Sequence, residues 1–430
     1  MTYKETIEYL YNAAPMFQNI GAGAYKEGLG NSLALDEHFG HPHKAYRTIH
    51  VAGTNGKGSV SHTLAAVLQS AGYHVGLYTS PHLLDFRERI RVDGVMIPKE
   101  RVVQFVEDEQ AFFEPLHPSF FELTTALAFK YFQEKNVDVA VIEVGMGGRL
   151  DCTNIITPVL SIITNISKDH TQFLGKSFTD IAREKAGIIK KNVPVVIGET
   201  NGRYNVKKLF LQKAREAGSP ITIAEEKGVV QQTEELPSGT RTYRTLHWGF
   251  IEGGLGGLCQ VKNTATILIA LQTLISIGFK IGTSHVKNGF KHVTTLTGLQ
   301  GRWQVLQQEP FIVCDTGHNP GGFDYLVKQI SRQTYDRLHI VFGMVADKDV
   351  RSVVNFLPKG AAYYFTQSSV KRSMPADELA AIAAKAGLKG NIYTSVARAF
   401  AAAKTNAGPA DFIFVGGSSY VVADLLKTLK

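Results

Sequence analysis

The sequence contains only three cysteines, Cys152, Cys259 and Cys314, which lie far apart with no CxxC pair. This spacing argues against both a disulfide framework and a structural zinc site. No stretch approaches the apolar length that is needed to span a bilayer. The opening residues, MTYKETIEYLYNAAP, carry charges inside their apolar pattern, so no signal peptide is predicted. We therefore expect a cytoplasmic protein with no membrane partner.

The chain also lacks any Lys/Arg-rich run of the kind that follows a nucleic-acid backbone. Lys and Arg number 46 against 38 Asp and Glu, which gives a formal net charge of +8. This excess favours anionic small molecules over nucleic acid as partners, although a mildly basic surface without a function is an equal alternative. The length of 430 residues favours two domains.

Apolar strand patterns alternate with amphipathic helix patterns along most of the chain. TIHVAG, VDVAVIEVG and PVLSIITNI are typical of strands covered on both faces, and helical segments separate them. This alternation predicts an α/β fold with a doubly wound, mostly parallel sheet. Residues 200–260 fit the pattern poorly and are interpreted as an irregular or small antiparallel insert.

A second α/β alternation begins after the glycine-containing segment TTLTGLQGRWQVL. The strands PFIVCDTG, LHIVFGM, AAYYFTQ and DFIFVGG predict a smaller C-terminal α/β domain. We predict an N-terminal domain over 1–296, a linker over 297–302 and a C-terminal domain over 303–430.

The segment VAGTNGKGS follows the first strand and opens the first helix, where a glycine loop can bind phosphate. Its spacing departs from the usual G-x-x-x-x-G-K-[ST] form, because Gly58 separates Lys57 from the hydroxyl of Ser59. Backbone N–H groups from Thr54 to Ser59 would point at a triphosphate, and Lys57 would neutralise its outer phosphates. The alternative is a glycine turn that only links strand to helix.

Candidate magnesium ligands follow neighbouring strands. Ser80 ends LYTS, Glu143 lies between an apolar strand and a glycine turn, and His170 follows a strand in TNISKDH. A carboxylate at such a position is costly unless it meets a cation. The alternatives are a helix cap for Glu143, a turn residue for Ser80 and a structural hydrogen-bonding histidine for His170. Lys185, in IAREKAGIIK, by itself is typical of a solvated helix lysine.

In the second predicted domain, VCDTGHNPGG places Asp315 and His318 directly after a buried strand. An acid and an imidazole in that turn could bind a nucleotide or transfer a proton. An ordinary Asn-Pro turn is the equal alternative.

Seven segments occur in order over nearly the whole chain: AGTNGKGS, YTSPHL, IEVGMGGRLDCTN, DHTQFLG, REKAGI, GRWQ and DTGHNP. Together they resemble the folylpolyglutamate synthase/dihydrofolate synthase family, a branch of the Mur ligase superfamily. The resemblance implies an ATPase domain with a P-loop and a smaller C-terminal domain. It also implies an ATP-dependent ligase that joins glutamate to dihydropteroate or folate through an acyl phosphate.

The same resemblance implies roles for individual residues. Positions matching ATP-binding residues are Thr54, Asn55, Gly56, Lys57, Gly58, Ser59, Asn263, Arg302 and Asp315. Ser80, Glu143, His170 and Lys185 match the ligands of two Mg²⁺ ions, with Lys185 carbamylated. Lys57, Lys185 and His318 are the candidate catalytic residues. Family members are commonly monomers, which is expected here too.

The pterin side of the site is implied by three short segments. They contribute Gly28, Leu29, Ser119, Phe120, Phe121, Glu122, Leu150, Asp151 and Cys152. Phe120 and Phe121 could stack on a flat ring, or they could be helix-face core residues. Cys152 stands where relatives commonly have alanine or serine, and this departure weakens the assignment of the substrate but not that of the nucleotide.

Two other functions are compatible with parts of the pattern. The nearer one is a Mur-type ligase that adds an amino acid to a UDP-linked cell-wall precursor, although TSPHL and GRLDCTN favour folate. The more distant one is a regulatory nucleotide-binding module that joins nothing. Retention of both lysines, the glutamate and the histidine speaks against it.

Overall fold

The computed structural model describes residues 1–13 and 28–429. This part of the chain divides into two compact units. The first unit comprises Met1–Thr233, Thr242–Gly254 and Val261–Leu299, and the second comprises Glu234–Arg241, Leu255–Gln260 and Gln300–Lys430. In the described ranges, no helix is long and apolar enough to cross a membrane.

The first unit is built on an eight-stranded sheet with the order β4-β3-β2-β5-β1-β6-β7-β8. Its strands are β1 Arg47–Ala52, β2 Val75–Tyr78, β3 Ile90–Val92, β4 Val95–Met96, β5 Val139–Glu143, β6 Leu160–Ile163, β7 Val195–Ile197 and β8 Ile221–Ile223. Strands β2, β5, β1, β6, β7 and β8 are parallel, whereas β3 and β4 add an antiparallel edge. The predicted α/β class with a mostly parallel sheet is confirmed.

Helices cover both faces of this sheet. They are α1 Tyr3–Ala13, α2 Gly30–His38, α3 Lys57–Ser70, α4 Lys99–Phe113, α5 Phe120–Glu134, α6 Thr171–Leu174, α7 Phe178–Lys185, α8 Tyr204–Glu216, α9 Cys259–Ser276, α10 Thr283–Lys291 and α11 Val293–Thr297. Along β5, Val141 joins an apolar cluster with Leu64 of α3, and the next residue, Ile142, joins another with Phe129 of α5. Burial of both faces explains why the strand is apolar from Val139 to Ile142.

The prediction for residues 200–260 is wrong in its first part. Residues 204–223 form the regular helix α8 and the edge strand β8, which pairs in parallel with β7. Only the later part forms a separate three-stranded sheet, with β9 Val230–Glu235, β10 Arg241–Thr245 and β11 Gly249–Gly253 in the order β11-β10-β9. The short apolar run ITI is too brief to identify β8 by periodicity, and only its pairing with β7 makes it a strand.

The second unit carries a six-stranded sheet with the order β12-β13-β17-β14-β15-β16. Its strands are β12 Gln304–Gln307, β13 Phe311–Asp315, β14 Leu338–Phe342, β15 Ala362–Thr366, β16 Gly390–Tyr393 and β17 Phe412–Gly416. Its helices are α12 Pro320–Ile330, α13 Val350–Val354, α14 Ala376–Lys385, α15 Val396–Asn406 and α16 Ser419–Thr428. Only β12 pairs antiparallel, so the predicted second α/β fold is confirmed.

Candidate active site

The glycine loop joins the carboxyl end of β1 to the first turn of α3. Gly56 caps α3 with a left-handed φ of 83°, and a Cβ at this position would collide with the side-chain amide of Asn263. Lys57 folds back over the loop, and its Nζ donates to the carbonyl oxygens of Gly53 (3.1 Å) and Thr54 (3.3 Å). A helix N-terminus with a lysine beside it is suited to bind phosphate.

The segment after β6 holds this loop in place. Asn165 accepts the backbone N–H of Thr54 with its carbonyl oxygen (3.0 Å) and the N–H of Asn55 with its Oδ1 (3.0 Å). The Thr164 hydroxyl donates to the carbonyl oxygen of Asn55 at 2.6 Å. Sequence reasoning missed Thr164 and Asn165, although their position directly after a buried strand is the signal that could have indicated them.

Glu143 and Ser80 meet at the same edge of the sheet. Glu143 is the last residue of β5 and lies opposite Val51 of the parallel strand β1, so its carboxylate reaches the level of the glycine loop. Its side chain is 3% exposed, and its Oε2 accepts the backbone N–H of Ser80 at 3.1 Å. A buried carboxylate at this edge is suited to meet a cation that enters with a nucleotide.

Lys185 is a buried residue at the end of α7. It is 3% exposed, and its Nζ donates to the carbonyl oxygen of Gly53 at 3.0 Å. The pKa of this amine is lowered to about 7, mainly by burial and then by the positive charge of Lys57, while the carboxylate of Asp169 opposes the change. The solvated-lysine alternative is inconsistent with this burial. Both lysines therefore bond to one carbonyl of the glycine loop.

His170 lies one residue beyond Asp169 and precedes the short helix α6. Its backbone has a left-handed φ of 49°, and its N–H donates to the carboxylate of Asp169 at 2.9 Å. In the part of the chain that the structure describes, no group of three or more His, Cys, Asp or Glu residues is arranged to hold a metal ion. The protein side chains near the glycine loop thus form no complete metal site by themselves.

Two of the pterin-site candidates cap a helix. Ser119 and Glu122 form a reciprocal capping box at the start of α5, in which Glu122 Oε2 accepts the N–H of Ser119 at 2.6 Å. Phe120 is 2% exposed and packs against Tyr11 and Phe86, as the core alternative requires. Phe121 is half-buried, and its ring packs over Gly145, where a Cβ would collide with it.

Asp151 and Cys152 lie in the turn after the glycines of GMGGRLDC, with the half-buried Leu150 before them. The carboxylate of Asp151 accepts the N–H groups of Met146 (2.9 Å) and Thr153 (3.0 Å). Burial raises its pKa, against the effect of these hydrogen bonds, which favour the charged form. The pKa of the Cys152 thiol lies well above its usual range because of burial and then the negative charges of Asp151 and Glu122.

A narrow crevice runs beside Cys152. Its lining includes Ser32, Glu122 and Phe129, and its volume of about 10 Å³ has room for about one water molecule. Gly28 and Leu29 directly precede α2, whose Asn31 donates to Glu122 Oε2 at 3.4 Å. Residues 26–27 of the KEGLG segment lie outside the described residues. The pterin candidates thus share one region of the first unit.

The candidates of the second unit gather at the carboxyl end of β13. Asp315 accepts the backbone N–H groups of Trp303 (2.7 Å) and Gly317 (2.8 Å). Burial raises the pKa of this carboxyl group, and the charge of Arg302 opposes the change. Arg302 donates to the hydroxyl of Thr316, and His318 Nδ1 lies 3.1 Å from the carbonyl oxygen of Thr316. This unit therefore presents an acid, a guanidinium group and an imidazole in one turn region.

Two family models match these two parts of the chain. The Mur ligase middle domain matches residues 51–271, and the Mur ligase glutamate ligase domain matches residues 301–419. The fold and the glycine-loop site thus define a Mur-type ligase. The first match includes the glycine loop, and the second includes the strands β12 to β17.

Similar proteins narrow this class. The chain is 31% identical over 418 residues to the dihydrofolate synthase/folylpolyglutamate synthase of Bacillus subtilis, covering 94% of this chain and 95% of that protein. It is 33% identical over 448 residues to a probable bifunctional folylpolyglutamate synthase/dihydropteroate synthase of Haloferax volcanii, covering 100% of this chain but only half (50%) of that protein's length. The chain belongs to the folylpolyglutamate synthase/dihydrofolate synthase family.

Solved structures agree with this membership. The structure of E. coli FolC in complex with DHPP and ADP has a TM-score of 0.85 with this chain at 28% sequence identity. The match covers 100% of this chain and 98% of that one. The resemblance predicted from the seven sequence segments is confirmed.

Proposed function

We propose that the protein is an ATP-dependent amide ligase that joins L-glutamate to dihydropteroate, to folate polyglutamates or to both. The observation that carries this proposal is the convergence of Lys57 and Lys185 on the Gly53 carbonyl oxygen, at the end of the sheet where Glu143 also lies. The names of the relatives refer to dihydrofolate and folylpolyglutamate, which favours a pteroate or folate acceptor over a UDP-linked one. Retention of Lys57, Glu143, His170 and Lys185 disfavours a regulatory module.

The reaction follows two balanced steps. The acceptor carboxylate attacks the γ-phosphorus of ATP, a P–O bond to ADP breaks, and an acyl phosphate forms. The glutamate amine then attacks the acyl carbon, the amide bond forms, and phosphate and one proton leave. Lys57 would exchange its two carbonyl partners for phosphate oxygens, and the N–H groups at the start of α3 would orient the triphosphate. Asp315, Arg302 and Asn263 are proposed to bind ATP, and His318 to assist catalysis.

The residues at the edge of the sheet fit Mg²⁺ that arrives with ATP. Magnesium prefers oxygen ligands and often takes only one or two carboxylates, the rest being phosphate oxygens and waters. The buried Glu143 carboxylate beside Ser80 supplies such a partial set. Ser80 and Glu143 would hold one ion, and His170 with a carbamylated Lys185 would hold a second. When bound, the ions would neutralise charge on the phosphates.

The buried position of Lys185 suits carbamylation. With a pKa of about 7, much of the amine is uncharged at neutral pH, so its lone pair is available. The nitrogen attacks the carbon of CO₂, an N–C bond forms, one C=O pair moves to oxygen, and a proton passes to water. The product is an anion beside Lys57, which replaces repulsion between two cations by attraction.

The domain limits 1–296, 297–302 and 303–430 remain part of the proposal. The start of the main segment of the second compact unit at Gln300 supports the linker, whereas Glu234–Arg241 and Leu255–Gln260, which lie within 1–296, also belong to that unit. We also propose that the protein acts as a cytoplasmic monomer on small molecules only. Size-exclusion chromatography with light scattering would detect a dimer, which would contradict the monomer.

The decisive experiment is a glutamate-dependent ADP-release assay with three acceptors. Dihydropteroate, tetrahydrofolate and a UDP-muramoyl substrate are supplied in turn with ATP and Mg²⁺. We expect glutamate-dependent ADP release with at least one of the first two and none with the third. The Lys57→Ala variant is the control, and it should release no ADP. Activity with only the UDP-linked acceptor, or ADP release that ignores glutamate, would contradict the proposal.

A further inference from the structure

Asn154 joins two parts of the proposed site that are far apart in sequence. It is 7% exposed and follows the candidate pterin residues 150–152 in a short 3₁₀ segment, Cys152–Ile155. Its Nδ2 donates to the carbonyl oxygen of Arg149 at 3.0 Å and to that of Gly187 at 3.1 Å. Gly187 lies two residues after Lys185. One amide group therefore bonds to both the GRLDC turn and the end of the Lys185 helix.

The two backbones that Asn154 bridges are in direct contact. A Cβ on Gly187 would collide with the Cα atom of Arg149, and one on Gly148 would lie 2.9 Å from the carbonyl oxygen of Glu184. The N–H of Arg149 donates to the Glu184 carbonyl oxygen at 2.8 Å. A small displacement on one side must therefore move the other, because no space separates them.

Among the described residues, the side chain of Asn154 donates two hydrogen bonds and accepts none. Both donors of its amide are used, while its Oδ1 is buried and makes no hydrogen bond with the described residues. Its own backbone carbonyl oxygen accepts Lys190 Nζ at 2.8 Å. Only a side chain that offers two N–H groups in this position satisfies both carbonyls, so aspartate, of the same shape, would not replace it.

We infer that Asn154 is a positioning residue, which holds the Lys185 amine against the glycine loop and fixes its position relative to the GRLDC turn. This inference rests on the proposed function of Lys185. The amine reaches Gly53 at 3.0 Å from the last residue of α7, and the next three residues are the segment that Asn154 fixes. Loss of the two Asn154 hydrogen bonds would let the Lys185 side chain move away from Gly53 without removing any group that touches a substrate.

The test compares Asn154→Ala and Asn154→Asp with the wild type. We expect kcat to fall about tenfold to a hundredfold, as misplacement of a reacting group by about 1 Å does, with KM for ATP nearly unchanged. Carbamylation of Lys185 is measured separately by ¹³C NMR after addition of ¹³C-bicarbonate, with Lys185→Ala to assign the signal. We expect both Asn154 variants to need more bicarbonate than the wild type for the same signal.

Gln329→Ala is the matched control for stability. Gln329 is 1% exposed in the second unit, and its amide donates twice, to the carboxylate of Glu235 (2.6 and 2.7 Å). Gln329→Ala should lower the melting temperature by about 2–4 °C, as Asn154→Ala should, while its carbamate signal stays at the wild-type level. Equal effects of the two variants on that signal would overturn the inference, because general loosening would then explain both.

Arg149→Ala is the alternative test if the Asn154 variants do not fold. The Arg149 side chain is 55% exposed and pairs with Glu184 Oε1 at 3.0 Å, so its loss removes a second link between the same segments. We expect a twofold to fivefold loss of kcat, about the weight of an exposed ion pair, and a weaker carbamate signal; wild-type values for both would count against the inference. If the wild type itself gives no carbamate signal, carbamylation is disproved, and an unchanged kcat in the variants would then overturn the positioning role separately.

Discussion

Replacing Lys185 by methionine should make the protein more stable at neutral pH. The amine is almost fully buried and has a pKa of about 7, against 10.5 for an ordinary lysine. At 1.36 kcal/mol for each pH unit, this difference corresponds to roughly 5 kcal/mol of unfolding free energy. Methionine fills a similar volume and carries no charge. It loses the hydrogen bond to Gly53, which contributes about 1 kcal/mol.

The sign of the pH dependence follows from proton binding. Below pH 7 both the folded and the unfolded protein hold the proton, so the full cost of burying the charge is present. Between pH 7 and 10.5 only the unfolded chain holds it, and the cost falls as the pH rises. We therefore expect Lys185→Met to gain roughly 2–4 kcal/mol at pH 6.5. This gain should shrink by about 1.4 kcal/mol for each pH unit between pH 7.5 and 9.5.

Urea unfolding in bicarbonate-free buffer measures this difference. The two tryptophans lie in different units, Trp248 in the first and Trp303 in the second. A shared Trp303→Phe background therefore lets the fluorescence of Trp248 report the unit that contains Lys185. Lys227→Met, at an exposed position, is the control and should leave stability unchanged at every pH. A Lys185→Met difference that is the same at pH 6.5 and 9.5 would refute the reasoning.

Two further changes test the nucleotide site. Glu143→Gln keeps an acceptor for the Ser80 N–H but removes the buried charge, so half-saturating Mg²⁺ in the ADP-release assay should rise at least about tenfold; an unchanged Mg²⁺ titration would count against a ligand role. Gly56→Ala should raise KM for ATP at least about tenfold, because its Cβ would collide with Asn263. Gly72→Ala is the matched control: its φ of 86° is similar but its surroundings are open. If KM for ATP is raised equally in both variants, backbone strain and not the collision with Asn263 is responsible for the increase.

Much of the fold could be predicted because its signals are local. The apolar runs of β1, β5 and β6 and the glycine turn before α3 each lie within a few residues. Parallel strands bring their carboxyl ends to one edge, which is why Glu143 and the glycine loop could be placed together. Strand β8 was missed because its three residues carry too little pattern.

Residue order by itself determined the family and the α/β class and made Lys57 and Glu143 candidate site residues, since motif spacing and strand periodicity are properties of short segments. Only the tertiary structure decided the burial of Lys185 and its hydrogen bond to Gly53, the core position of Phe120 and the two acceptors of Asn154. Lys185 bonds to a carbonyl 132 residues away. Burial, and with it the pKa of an amine, depends on such distant neighbours and leaves no trace in a local helical pattern.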